Sequence, residues 1–333
     1  MYWYEKENDP ASPVLSTRVR FARNLEDTPF PHLLSADEKA KVFERVKTAL
    51  AERDMFAVDF EKAEELVRQT YVQTRLASPL LLKVGAGAGL ILSKEGDLSV
   101  MVNEEDHLRI QALLPGKKIR ECFTVAKDTA AFLEEKLPFA YRDGLGYLTS
   151  CPTNLGAAMR LSVMIHLPAL KTTGRLSALI RSLNDAGYTL RGAYGEGSRS
   201  DGDVFQISNQ MSRARQTEEI VSDFERVIEL VILEENKSRD ALLEARGAEL
   251  EDRIFRAVGT AKYARRLSYS EFLELYSVVR LGMEAGLKDF PVIPGLDRLL
   301  VELMPAPMAL RDAENRSPEK RDLARAKILR EKL

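Results

Sequence analysis

A chain of 333 residues with 45% hydrophobic and 30% charged residues, 19 Gly and 14 Pro has the composition of an ordinary globular protein, which excludes collagen-like, low-complexity and fibrous classes. At roughly 150 residues per domain, the length predicts about two domains. Forty-nine Lys and Arg against 51 Asp and Glu leave a formal net charge of −2, so no nucleic-acid partner is expected, while a local basic pocket is still open.

From the N-terminus, MYWYEKENDP has no basic stretch followed by an apolar one, and apolar runs such as 231–233 are far shorter than the ~18 residues a membrane helix needs. A cytoplasmic protein with no membrane partner is expected. Residues 36–53 place Val42, Val46 and Leu50 on one helical face behind Ser35 as a cap. The period changes at Gly89: GLILS, the turn Lys94–Asp97 and LSVMV predict an antiparallel hairpin. Asn103 is expected to open a helix through EEDHLRIQALL that stops at Pro115-Gly116.

A β-rich block follows, with LGYLTS, RLSVMIHL, YTLRGAYG and VFQISNQ as strands, interrupted by a helix over 173–186. Regular crossover helices are missing, so an antiparallel sheet with flanking helices fits better than a parallel one. Beyond Gln216, Ile220, Phe224, Val227, Ile228 and Val231 recur at helical spacing, and residues 250–333 read as helical, with Ser268-x-x-Glu271 and Ser317-Pro318 as starts. The fold class is α+β, with a sheet-containing domain over 13–238 and an all-helical domain over 239–333. Phe272, Leu273, Tyr276 and Val279 form an apolar stripe that predicts a homodimer through the helical domain.

Several motifs fail. Gly116-Lys117 lacks the first Gly and the Ser/Thr of a P-loop, and Gly85-x-Gly87-x-Gly89 lacks a Rossmann context and reads as a turn. Cys122 and Cys151 cannot build a disulfide scaffold, and His32, His107 and His166 lack ligand spacing. What remains is a set of arginines and acids: Ser16-Thr17-Arg18-Val19-Arg20, Asn103-Glu104-Glu105-Asp106-His107-Leu108-Arg109, Cys151-Pro152-Thr153-Asn154-Leu155-Gly156 with Arg160, and Arg191 leading into the Gly-rich GAYGEGS. Alternation places Arg18 and Arg20 on one face of an extended segment, where two guanidinium groups repel unless an anion such as a polyphosphate lies between them.

In order and spacing these motifs resemble the guanidino (phosphagen) kinase family over residues 13–238. The resemblance implies ATP as phosphoryl donor, with Mg²⁺ held by the ATP phosphates and water and no metal ligands from the protein. It implies Glu105 and Glu196 as carboxylates that clamp and deprotonate a guanidinium acceptor, with Cys151 beside it. Ser16, Arg18, Arg20, Arg75, Arg109, Arg160 and Arg191 are implied to contact the nucleotide. Arg213 falls out of the family pattern. The Gly-rich segment 192–202 is expected to act as a lid over both substrates. Kinases of free guanidines in this family carry an N-terminal helical domain, whereas STRVR here begins at Ser16 and a helical domain follows.

The run Arg321-Asp322-Leu323-Ala324-Arg325-Ala326 resembles the protein-arginine kinase branch. It implies protein substrates carrying arginine, phosphoarginine as a mark for degradation, and a phosphoarginine-binding regulatory site at Arg321, Asp322 and Arg325. A ClpC-type unfoldase and an activating partner are implied with it. A kinase of free arginine and an inactive phosphoarginine-binding adaptor are the alternatives.

Overall fold

The structure, a computed structural model, describes residues 2–193, 200–210 and 216–333. The chain divides into two compact units: Met1–Lys6, Thr17–Ser162 and Asn209–Phe224 form the first, and Glu7–Ser16, Val163–Ser208 and Glu225–Leu333 the second. Among the described residues no helix is long and apolar enough to cross a membrane.

The first unit begins with most of β1 (Val14–Arg23), then α1 (Ala36–Ala49), β2 (Met55–Asp59), α2 (Glu65–Gln73), α3 (Leu81–Val84), β3 (Gly89–Ser93), β4 (Leu98–Val102) and β5 (Leu108–Pro115). It continues with α4 (Ile119–Glu134), the small hairpin β6 (Tyr141–Arg142) and β7 (Gly146–Tyr147), and the first half of β8 (Met159–His166). Its sheet runs in the order β2-β3-β4-β5-β1-β8, with β2 to β5 an antiparallel meander. Ser35 and Glu38 cap α1 reciprocally, as the sequence predicts for its start. The expected hairpin is β3 and β4. Gly87 and Gly89 serve packing: a Cβ on Gly89 would lie 2.1 Å from the Phe43 ring and one on Gly87 2.4 Å from Lys39 Cβ, so only Gly lets α1 approach so closely there.

One expected element is wrong. Residues 108–115 are strand β5, paired antiparallel with β4, and 103–107 are a turn. An Asn followed by acids mimics a helix start, but Leu108 to Pro115 is buried along almost its whole length, as a central strand covered on both faces requires. The amphipathic α4 packs on β5 through Ile119, Cys122, Phe123, Ala126 and Leu133. Burial pushes the Cys122 thiol up to about 12, so it behaves as a small core hydrophobe.

The second unit holds the end of β8, α5 (Pro168–Thr172), α6 (Leu176–Asp185), β9 (Tyr188–Gly192), β10 (Val204–Asn209) and most of α7 (Thr217–Tyr263). After it come α8 (Tyr269–Glu284), α9 (Leu296–Glu302), α10 (Pro305–Arg311) and α11 (Pro318–Lys332). Its strands lie in the order β8-β10-β9. The helix expected over 173–186 is α6, which starts at Leu176 after a turn at Gly174, whose φ is 72°; the separate short helix α5 precedes it. Residue 238 lies inside α7, whose helical dihedrals are interrupted at Arg246.

Phe272, Leu273, Tyr276 and Val279 are at most 2% exposed and pack with Ile293, Leu296, Leu299, Leu300, Leu303, Met308, Ala326 and Leu329. Each such side chain stabilises by about 1.5–3 kcal/mol on burial. The stripe that suggested a second copy is therefore consumed inside its own unit.

Candidate active site

All residues of the central cavity belong to the first unit. On β1, Thr17, Val19 and Phe21 are buried, while Arg18 and Arg20 alternate with them on the other face. Arg18 Nε donates to Ser162 Oγ at 3.3 Å. Burial, reinforced by Arg75, Arg160 and Arg109, pulls Arg18 down to about 9. Burial and then Arg18, Arg109 and Arg160 pull Arg20 well below the ordinary arginine value. Five guanidinium groups thus share one region and destabilise one another, which an incoming polyanion would reverse.

The carboxylates stand on the 103–107 turn. Asn103 adopts φ 57°, and its Nδ2 donates to Lys39 O and Gly87 O at 2.8 and 2.7 Å. Asp106 Oδ1 accepts from Asn24 Nδ2 and from Ser150 N, both at 2.7 Å, and so ties the turn to the loop that carries Cys151. His107 is buried and its Nδ1 accepts from Leu25 N at 3.1 Å; burial pushes it down to about 4, so it is a neutral core histidine.

Glu104 is turned inward, accepting from Arg109 Nη1 at 2.6 Å, from Ser78 Oγ, and from Glu105 N at 3.1 Å. Glu105 faces the cavity with Oε2 3.2 Å from Arg109 Nη2. Burial raises its carboxyl above the usual range against the opposing pull of Arg109, with Asp106 and Glu104 adding to the rise.

The third wall is the turn Pro152–Asn154. Cys151 Sγ lies 3.0 Å from Thr153 Oγ1, and Thr149 Oγ1 donates to Cys151 O at 2.9 Å. Asn209, at the end of β10, accepts from Leu161 N at 2.8 Å and donates to Met159 O at 3.2 Å, which fixes the strand start that carries Arg160. The result is a cavity of about 350 Å³ lined by Arg20, Ala22, Glu105, Arg109, Cys151, Thr153, Asn154, Ala158, Met159, Arg160, Asn209 and Gln210.

Five of the expected residues, Arg20, Glu105, Arg109, Cys151 and Arg160, therefore line one cavity. Arg18 and Arg75 do not line it but interact electrostatically with each other, and Arg18 also with Arg109 and Arg160. Ser16 is buried and Arg191 is exposed on β9, both in the second unit. Glu196, Arg213 and most of the expected lid lie outside the described residues. Glu104, Asp106, Thr153, Asn154, Asn209 and Gln210 were not singled out. Glu104 and Asp106 stand in the same motif as Glu105, and nothing in one sequence separates the carboxylate that faces the cavity from the two that hold the turn. No group of three or more His, Cys, Asp and Glu that could hold a metal occurs among the described residues.

At the C-terminal motif, in the second unit, Arg321 and Asp322 are half-buried and Arg325 is 1% exposed. Arg325 Nη1 donates to Leu267 O at 2.7 Å and Asp322 Oδ1 at 2.8 Å, and its Nε to Leu303 O at 3.2 Å. Arg325 thus fastens α11 to the approaches of α8 and α10, while Asp322 Oδ2 also meets Arg266 Nε at 3.5 Å.

The chain is similar to known proteins along nearly its whole length. Residues 38–238 match the family model of the ATP:guanido phosphotransferase C-terminal catalytic domain, and residues 247–333 that of the protein-arginine kinase McsB C-terminal domain. A protein-arginine kinase of Pelotomaculum thermopropionicum is 38% identical over 99% of this chain and 94% of its own length, and one of Clostridium kluyveri 40% identical over 98% and 96%. The chain belongs to the protein-arginine kinase family. It is therefore a phosphotransferase of the phosphagen kinase class. Two solved structures share its fold. Lombricine kinase has a TM-score of 0.61 at 22% identity, over 72% of this chain and 69% of that one. The duplicated taurocyamine kinase of Schistosoma mansoni has a TM-score of 0.60 at 24% identity, over 68% and 34%.

Proposed function

We propose that the protein transfers the γ-phosphoryl group of ATP to a guanidinium nitrogen of arginine side chains in proteins, and that the cavity between β1, the 103–107 turn and the Cys151 loop is where it does so. The observation that carries this reading is that one cavity is lined both by Arg20, Arg109 and Arg160 and by Glu105 and Cys151. ATP brings several negative charges, and Arg18, Arg20, Arg75, Arg109 and Arg160 supply the matching positive ones. A planar guanidinium acceptor, in contrast, is repelled by arginines and pairs with carboxylates.

The guanidinium pKa of above about 12 against about 4.3 for Glu means that full deprotonation before attack would cost on the order of 11 kcal/mol. The acceptor nitrogen therefore forms its bond to the γ-phosphorus as the P–O bond to ADP breaks, and its proton passes to a carboxylate in the same process. Glu105 is that base, and the upward shift of its carboxyl narrows the gap it must bridge. Glu196 is assigned the second arm of the clamp from its motif alone, and Cys151 positions the guanidinium. Arg20, Arg109 and Arg160 on the cavity wall would hold the ATP phosphates, and Mg²⁺ accompanying them would supply further neutralisation of phosphate charge.

We assign residues 13–238 to catalysis and 239–333 to regulation. Arg321 and Asp322 form the accessible part of a phosphoarginine-binding site, with Arg325 holding Asp322 in place. Marking of proteins for degradation, a ClpC-type unfoldase, an activating partner, a homodimer and a cytoplasmic location belong to the same reading. The deciding experiment supplies γ-labelled ATP with either an unfolded protein or free arginine. Acid-labile label on the protein is expected. Label on free arginine alone would point to a small-guanidine kinase, and no label on either to an inactive adaptor.

A further inference from the structure

The second unit contains a chain of buried polar contacts that the proposed reaction does not use. His166, at the end of β8, is 0% exposed. Its Nδ1 lies 3.0 Å from Glu284 Oε1 and its Nε2 2.9 Å from Ser277 Oγ. Ser277 Oγ in turn lies 2.6 Å from Asp203 Oδ2. Glu284 Oε1 also accepts from Arg280 Nη1 at 2.5 Å, and its Oε2 faces Arg239 Nη1 at 3.9 Å. Asp203 Oδ1 accepts from Lys171 Nζ.

The protons in this chain can be counted. A carboxylate with cations on it can only accept, and both acids are in that state: Glu284 between two guanidiniums, Asp203 against an ammonium. Ser277 has one hydroxyl proton, which Asp203 takes. Ser277 Oγ must then accept from Nε2–H, while Glu284 must accept from Nδ1–H. Three links need three protons, and a neutral imidazole with one N–H leaves one link with lone pair against lone pair. We infer that His166 is held as the doubly protonated imidazolium and acts as a proton-operated catch that fastens α8 to the turn Asp201–Asp203.

The turn is one that needs fastening. Gly202 and Asp203 adopt φ of 72° and 53°, and a Cβ on Gly202 would lie 3.0 Å from Leu273 O of α8. A left-handed Asp persists only where its surroundings hold it. Here they are Ser277 and Lys171 on its side chain and Leu167 N, which donates to Asp203 O at 2.9 Å. The remaining charged and titratable groups are Glu235 on α7, whose oxygens accept from Ala169 N and Leu170 N, Tyr276, whose ring lies 6.0 Å from that of His166, and Asp297, which Arg280 binds from its far side. None offers His166 another proton donor or acceptor within the described contacts. Removing one proton therefore opens one of the three links that run from Glu284 through His166 and Ser277 to Asp203. The catch is closed at low pH and loosens as pH rises.

The test uses the full chain labelled with ¹⁵N-histidine, whose three histidines are assigned by single replacement. At pH 7 both ring nitrogens of His166 are expected to carry protons, and Ser277→Ala and Glu284→Gln are each expected to lower that doubly protonated fraction. Amide exchange at Leu167, corrected for base catalysis, should accelerate as His166 loses its proton. One bare ring nitrogen in the unchanged protein, or an unaltered His166 spectrum in Ser277→Ala, overturns the inference. Should Glu284→Gln fail to fold, the unchanged protein and Ser277→Ala still decide it.

Discussion

Replacing Glu105 by Gln removes the proposed base while leaving the cavity its shape. The amide oxygen still accepts the Arg109 Nη2 bond now made at 3.2 Å, and Arg109 stays anchored to Glu104 at 2.6 Å, so the nucleotide side should stand unchanged. An amide cannot take the acceptor's proton, and loss of a positioned base lowers turnover by ~10²–10⁴-fold, or about 2.7–5.4 kcal/mol in the barrier. Removing one negative charge from an arginine-rich cavity leaves ATP affinity equal or slightly tighter. The carboxyl is raised by burial, so turnover of the unchanged enzyme should fall on acidification at a higher pH than an ordinary carboxylate would give. The variant should lose that limb. Turnover is read with γ-labelled ATP and an unfolded protein, and affinity by titration calorimetry. Near-normal turnover in the variant, or a loss of ATP affinity as large as the loss of turnover, would refute the assignment of Glu105 to the acceptor.

Other outcomes follow from the same geometry. Arg18→Ala, Arg20→Ala and Arg160→Ala should each weaken ATP binding and slow transfer together, since a phosphate contact acts in ground and transition states alike; calorimetry showing unchanged affinity in all three would remove the cage. Asp106→Ala leaves Ser150 N without its acceptor, and one N–H of Asn24 Nδ2 too, the other still donating to Leu148 O at 3.0 Å, at about 1–3 kcal/mol each. Denaturant unfolding should show that loss, and alkylation of Cys151 should change rate as its loop comes free. Burial pushes the Glu235 carboxyl from the ordinary glutamate value of 4.5 up to about 7. Its folded state holds the proton more tightly, so this contribution is full below 4.5 and lost as pH rises through 7, on the order of 3 kcal/mol; Glu235→Gln should flatten that slope in chemical denaturation. Asp322→Ala should leave basal kinase activity intact and abolish any response to added phosphoarginine, and a variant that still responds fully would exclude the second site.

Alternation along Val14–Arg23 and the 3.6-residue period of α1, α7 and α8 are local properties, so the placement of Arg18 and Arg20 on one face and the amphipathic helices could be read directly from the sequence. The 103–107 turn could not. Its left-handed Asn103 is held by Lys39 O and Gly87 O, and its Asp106 by partners 82 and 44 residues away. Without those partners the same letters spell a helix start. Tertiary structure likewise chose among three adjacent carboxylates, turning Glu104 and Asp106 inward and leaving Glu105 at the cavity. It also decided what covers the Phe272 stripe, because amphipathicity states that a face must be buried and not against what. Residue type and period are carried by neighbours along the chain; which buried carboxylate is satisfied, and by whom, depends on groups that only folding brings within 3 Å.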